Sequence, residues 1–175
     1  MAKGLVGKLF TTEEIQARVR DLGAQISQDY AGQEVLVVGI LKGAFVFCAD
    51  LMRTLQVPTN LDFMAVSSYG TSTESSGVIR IVKDLEASVE GRHVLLVEDI
   101  VDSGLTLRYL REYLEHQRPA SLKICVLLDK PNRRKTDVVV DYTGFTIPDE
   151  FIVGYGIDYA ERYRELPYIG LIGEV

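Results

Sequence analysis

Apolar and polar positions follow two different periods along this chain, and the changes of period mark out its elements. Ile15, Val19, Leu22 and Ile26 recur at helical spacing behind Thr11 and Glu14, a T-x-x-E pattern that caps a helix start. A first helix is therefore predicted to about Tyr30. Val35 to Ile40 is a continuous apolar run of strand length, as expected of a strand buried on both faces. After Leu41-Lys42-Gly43-Ala44 a second helix is predicted, with Phe45, Cys48, Met52 and Leu55 as its inner stripe. Pro58 marks the next turn. Leu61 to Tyr69 and Val78 to Asp84 are predicted strands, separated by the small, polar run Gly70 to Gly77, a loop with little to hold it down. Gly91 precedes another doubly buried strand, Val94 to Val97. Leu107, Leu110 and Leu114 give the next helix its inward face, with Arg108–Glu112 and Arg111–Glu115 as i,i+4 pairs outside. Leu122 to Leu128 is a further strand. From Val138 onward only short strand-like runs occur, VVVDY and FIVGYGI, and no long helix.

Apolar strands alternating with helices predict an α/β fold, a mostly parallel twisted sheet with helices on both sides. Ligands of such sheets bind outside the carboxyl ends of the strands. The pattern thus points at three places: after Ile40, after Val97 and after Leu128. No internal repeat or interdomain linker interrupts the 175 residues, so one domain, 1–175, is expected.

Charge narrows the function classes. With 19 basic and 25 acidic residues the net charge is −6, against a general nucleic-acid binder, which needs a basic surface. A polyphosphate ligand remains compatible through metal ions, backbone amides and a few placed cations. No run of about 18 apolar residues exists, so no membrane span is expected, and the amino terminus turns polar too soon for a secretory signal. Cys48 and Cys125 both lie in apolar surroundings and fit buried free thiols in a reducing compartment, with the cytoplasm the simplest location.

The second of the three places is dense in chemistry. Glu98 and Asp99 are adjacent acids at the end of an apolar strand, followed by Asp102-Ser103-Gly104 and Thr106 at a helix entrance. Gly104 lets the backbone approach a ligand, and the helix start offers unpaired N–H groups and partial positive charge to a phosphate. Ser103 and Thr106 add hydroxyl donors. The acid pair would repel a phosphate unless it holds sugar hydroxyls or a divalent metal. A plain βα-turn with an Asp/Ser cap is the duller alternative, but a cap needs neither the acids nor so many hydroxyls. Two phosphate motifs are absent: there is no G-x-x-x-x-G-K-[ST], and Gly154 to Ala160 has Tyr159 where a dinucleotide fingerprint needs its third glycine.

The segment Glu98 to Thr106 resembles the phosphoribosyl-pyrophosphate (PRPP) signature of the type I phosphoribosyltransferases. The resemblance extends over nearly the whole chain and narrows to the hypoxanthine–guanine phosphoribosyltransferases. Leu41-Lys42-Gly43 resembles that family's pyrophosphate loop, and Ser68-Tyr69-Gly70 the start of its mobile lid, which would close over the site as far as Gly77. Lys130, and Phe151 to Tyr155 leading to Asp158 and Arg164, resemble its purine pocket and second metal face. The resemblance implies a core of about 30–145 and a small hood formed by the chain ends, the second part about 146–175. It implies transfer of the phosphoribosyl group from PRPP to a 6-oxopurine, hypoxanthine and guanine, giving IMP or GMP and pyrophosphate. By the same resemblance Glu98 and Asp99 hold the ribose hydroxyls and the Mg2+ shell, and Asp158 lies near a second magnesium. Asp102, Ser103, Gly104, Leu105 and Thr106 cradle the 5′-phosphate, with Asp102 also the proton acceptor at purine N7. Lys42, Gly43 and Arg164 meet the pyrophosphate. Lys130 donates to the 6-oxo group, the Phe151 ring stacks on the purine, and the Ile152 backbone reads the ring edge. A homodimer or homotetramer is implied, with no nucleic-acid or membrane partner.

Several residues have duller readings. In Lys130 to Lys135, KPNRRK, the residues Arg133, Arg134 and Lys135 are expected to be an exposed turn, with Lys130 the functional member. Tyr155 is expected in the core. His93 and His116 have no second ligand at metal spacing and are given no role. Two alternatives stay open: a xanthine- or pyrimidine-directed relative, and a PRPP-sensing regulator that binds RNA, for which only KPNRRK speaks.

Overall fold

The computed structural model describes residues 3–68 and 78–174. The lid expected from Ser68 to Gly77, Tyr69 included, lies outside them apart from the Ser68 backbone. In chain order the elements are β1 (Lys3–Phe10), α1 (Thr12–Asp29), β2 (Val35–Leu41), α2 (Phe45–Thr54), β3 (Thr59–Ser68) and β4 (Ile79–Lys83). Then follow β5 (His93–Val101), α3 (Leu105–Glu115), β6 (Ser121–Asp129), β7 (Tyr142–Thr146), β8 (Ile152–Val153) and β9 (Ile169–Glu174). Six strands form one sheet in the order β4-β3-β2-β5-β6-β7. Every pairing in it is parallel except β3 with the edge strand β4. The chain ends build a second, antiparallel sheet in the order β1-β9-β8.

The doubly buried runs divide their side chains between the faces with period two, as strand geometry requires. Val35, Val37, Leu95, Val97, Cys125 and Leu127 face one core, shared with Ile15, Val19 and Leu22 of α1 and Phe47 and Leu51 of α2. Leu36, Val38, Val94, Leu96, Ile124 and Val126 face the other, closed by Leu107, Leu110 and Leu114 of α3. Each such side chain contributes roughly 1.5–3 kcal/mol by leaving water. The first helix starts as expected: Thr11 Oγ1 accepts from the Glu14 N–H, and Glu14 Oε2 accepts from the Thr11 N–H at 2.8 Å. Both cysteines are free and buried.

Three expectations change. The inner stripe of α2 is Ala44, Phe47, Cys48 and Leu51, while Phe45 is exposed. The segment is apolar on almost every side, so its phase could not be read from composition; the packed set follows i, i+3, i+4, i+7 from the turn that opens the helix. The VVVDY run is no strand before Tyr142. Val138 and Val140 pack against the α3 side of the core, and the Ile124 N–H donates to the Asp141 carboxylate at 2.8 Å instead of to a strand neighbour. Finally, β5 runs four residues past Val97, so the acid pair lies inside the strand. Among the described residues no helix is long and apolar enough to cross a membrane.

Candidate active site

The carboxyl ends of β2, β5 and β6 lie side by side, because these strands are parallel neighbours. Glu98 and Asp99 lie in the carboxyl-terminal half of β5, with Ile100 and Val101 still to follow in the strand. Glu98 is only 8% exposed; its Oε1 accepts from the Asp99 N–H, and Asp99 Oδ1 accepts from the Ile100 N–H at 2.8 Å. Burial first, and the neighbouring Asp99 charge second, push the Glu98 carboxyl well above the ordinary carboxylate range. Burial raises Asp99 as well, against its hydrogen bonds and the more distant Arg164 charge. No cation among the described residues forms an ion pair with either acid.

The turn after β2 packs directly on this pair. A Cβ added to Gly43 would lie 2.0 Å from Asp99 Oδ2, and one added to Gly156 would lie 2.4 Å from the Gly43 carbonyl oxygen. Both positions require glycine for close approach, and three distant stretches of chain meet at this point. Lys42 is exposed and pairs with Glu161 at 3.1 Å. Arg164 donates to the Gly156 carbonyl at 2.9 Å and pairs with Asp158 at 3.0 Å and with Glu161 at 3.6 Å. Glu161 thus joins the two cations expected at a pyrophosphate; no spacing signal pointed to it. Asp158 Oδ2 accepts from the Glu161 N–H.

On the other side of the acid pair the chain turns into α3. Gly104 is the cap residue, with φ +82°, a left-handed conformation that favours glycine. Of the Asp/Ser cap weighed from sequence, the serine contributes: Ser103 Oγ accepts from the N–H of Leu105, the first helical residue, at 3.3 Å. Glu98, Asp99, Asp102, Ser103, Gly104 and Thr106 line a cavity of about 150 Å³. The first N–H groups of a helix have no partner within it, so this cavity presents hydroxyls, donors and the positive end of the helix dipole.

The end of β6 closes the site. Lys130 is buried at 7% exposure, its Nζ donating to the Glu150 carbonyl at 2.6 Å and lying 3.7 Å from Asp149. The following turn, Pro131–Arg133, folds the chain back. Here the expected exposed turn needs correction at Arg134. Its guanidinium is largely covered, pairs with Asp129 at 2.7 Å and donates to the Asp102 carbonyl at 3.0 Å. Arg133 and Lys135 are exposed as expected, but Arg133 Nε donates to Asp102 Oδ1 at 3.0 Å. The Lys135 N–H donates to the Ser103 carbonyl. A Pro-Asn turn straight after the strand-end lysine was the available signal that the arginines return to the strand ends. Phe151 is 62% exposed, with Lys3 Nζ 4.6 Å from its ring centre, and Ile152 is buried in β8, paired with Leu171 of β9.

Residues 6–160 match the phosphoribosyl transferase domain. The hypoxanthine-guanine phosphoribosyltransferase of Bacillus subtilis is 54% identical over 164 residues, 94% of this chain and 91% of that one. The hypoxanthine phosphoribosyltransferase of Salmonella typhimurium is 52% identical over 97% of both chains.

The chain belongs to the hypoxanthine–guanine phosphoribosyltransferase family.

Solved structures of the family agree with the fold. The hypoxanthine phosphoribosyltransferase of Staphylococcus aureus superposes with a TM-score of 0.93 at 49% identity, covering 97% of this chain and 92% of that one. The Bacillus anthracis hypoxanthine-guanine phosphoribosyltransferase gives 0.92 at 45% identity, covering 99% and 100%. As a phosphoribosyltransferase the chain is a transferase, and its sheet is the type I phosphoribosyltransferase sheet. Among the described residues no three Asp, Glu, His or Cys side chains converge as a metal cage. Glu98 and Asp99 offer hard oxygen donors for part of a magnesium shell, whose remaining ligands would be substrate oxygens and water.

Proposed function

We propose that this enzyme transfers the 5-phosphoribosyl group of PRPP to hypoxanthine, and to guanine, in purine salvage, releasing pyrophosphate and giving IMP or GMP. The observation that carries the proposal is the meeting of the Glu98–Asp99 pair, Glu98 buried and Asp99 partly buried, with the hydroxyl-lined turn into α3. Two adjacent acids, one of them buried, with hydroxyls beside them, suit a ribose phosphate bound with a cation. Magnesium bound there supplies charge neutralisation for the departing pyrophosphate. Asp158, already held by Arg164, is suited to the second magnesium face.

Each residue then has a task. Glu98 and Asp99 orient the ribose hydroxyls. Ser103, Gly104, Leu105 and Thr106 hold the 5′-phosphate with N–H and O–H donors, Leu105 through its backbone. Lys42, the Gly43 backbone and Arg164 receive the pyrophosphate, which displaces Glu161 from the two cations. The purine N9 forms its bond to C1′ as the bond from C1′ to the pyrophosphate oxygen breaks, the electron pair leaving with pyrophosphate. The N7 proton passes to Asp102. Phe151 stacks on the ring, the Ile152 backbone meets its edge, and the Lys130 ammonium donates to the 6-oxo oxygen. Adenine presents an amino donor at that position, so donor faces donor across a buried contact that only a 6-oxo acceptor satisfies, which gives strong discrimination. The lid from Ser68 and Tyr69 onward excludes water during the cationic stage. The enzyme works in the cytoplasm as a homodimer or homotetramer.

The test is Asp102→Asn, compared with wild type in PRPP binding by calorimetry and in turnover of hypoxanthine. We expect PRPP binding within about threefold of wild type and turnover reduced at least about a hundredfold, the usual size of a general-base contribution. Near-full turnover across the pH range would remove Asp102 from the mechanism.

A further inference from the structure

Asp102 is held by two consecutive arginines in different ways. Arg134 fixes its backbone carbonyl, at 3.0 Å. Arg133 fixes its carboxylate, Nε to Oδ1 at 3.0 Å, and the same guanidinium reaches Asp149 Oδ2 through Nη1 at 3.2 Å. The other oxygen of Asp149 faces Lys130 Nζ at 3.7 Å. A continuous chain of charges therefore runs Asp102–Arg133–Asp149–Lys130. Its two ends are the groups proposed above to meet N7 and the 6-oxo group of one purine ring. The linking turn is short and pinned: the Arg133 N–H donates to the Lys130 carbonyl at 3.1 Å.

We propose that Arg133 is a positioning residue for phosphoribosyl transfer. It occupies Oδ1 of Asp102 and leaves Oδ2 to take the purine proton. Through Asp149 it sets the spacing between Asp102 and Lys130. A guanidinium can do both because its planar fork meets two carboxylates at fixed angles; a lysine ammonium cannot hold both in one plane. Arg133 touches no substrate and acts only through its two partners. The pairs are roughly half exposed, so their contribution to folding is small while their effect on alignment remains. Misplacement of a reacting group by an ångström is enough to cost two orders of magnitude in rate. This inference rests on the proposed role of Asp102.

The experiment is steady-state turnover of hypoxanthine with PRPP and magnesium for wild type, Arg133→Gln, Arg133→Lys, Asp149→Asn, the Arg133→Gln/Asp149→Asn double variant and Asp102→Asn, with thermal unfolding of each. We expect Arg133→Gln to lower kcat between about tenfold and a hundredfold, with KM for PRPP within about twofold and an unchanged melting midpoint. Arg133→Lys should recover part of the loss. The double variant should be no worse than Arg133→Gln alone, because both changes break one chain. Wild-type kcat in Arg133→Gln beside an inactive Asp102→Asn overturns the role of Arg133 alone. An active Asp102→Asn overturns the role of Asp102, and this inference with it. Equal losses in kcat and PRPP affinity with a lowered midpoint make Arg133 a structural residue and overturn it also.

Discussion

Replacing Arg134 with methionine removes the clamp between the ends of β5 and β6. The guanidinium is 22% exposed and its partner Asp129 16%. It makes one short charged bond to Asp129 at 2.7 Å and one to the Asp102 carbonyl at 3.0 Å, with a longer contact to the Val101 carbonyl at 3.4 Å. A hydrogen bond to a charged group contributes about 1.5–3 kcal/mol, and breaking a fully buried pair costs about 3–5 kcal/mol. Residual solvent at both ends of this pair lowers the figure, and methionine keeps much of the apolar packing. The expected loss is therefore about 2–4 kcal/mol. For a chain of this size that corresponds to a melting point lower by roughly 5–15 °C. Urea unfolding followed by circular dichroism gives the free energy, and KM for PRPP gives the effect on the turn. Arg134→Lys should fall between the two, because an ammonium can pair with Asp129 but cannot span to the carbonyls. Stability within about 0.5 kcal/mol of wild type, the range of an ordinary surface change, together with an unaltered KM, would refute the clamp.

Three further outcomes are expected. Gly43→Ala drives a methyl group into the Asp99 carboxylate, and overpacking of about 1–3 kcal/mol should weaken PRPP binding by roughly tenfold to a hundredfold in calorimetry. Glu98 has a raised carboxyl pKa, so its contribution to stability is complete below the unfolded value near about 4.3 and is lost as pH rises through the folded value. Glu98→Gln cannot ionise and should therefore raise the melting point of the ligand-free protein at pH 8 but not at pH 4, while abolishing turnover; a lower melting point at pH 8 contradicts the sign. Lys130→Met should raise KM for hypoxanthine far more than KM for PRPP, and equal effects on both would detach Lys130 from the purine.

Much of this was legible because continuous apolar runs of strand length, in parallel order, bring strand ends together whatever the loops do. Val35–Ile40, Val94–Val97 and Leu122–Leu128 all lie in central strands, and the acid pair shares one cavity with Ser103, Gly104 and Thr106. What was not legible depended on tertiary partners. The strand β1 is exposed along much of its length and pairs with β9 from the far end of the chain, so no buried apolar run announces it. The phase of α2 was hidden by apolar residues on nearly all sides. Arg134 looked like a solvated cation because Asp129 and the Asp102 carbonyl reach it only after the Pro131 turn folds back. Glu161 lies 119 residues from Lys42, and no local pattern encodes their pairing.

The most direct measurement is product formation by the wild-type protein with PRPP and magnesium, offering hypoxanthine, guanine, xanthine, adenine and uracil separately. We expect IMP and pyrophosphate from hypoxanthine, GMP from guanine, and no product from adenine. Turnover of adenine at a kcat/KM comparable to that of hypoxanthine, or salt-dependent RNA retention without turnover of any purine, would contradict a 6-oxopurine phosphoribosyltransferase.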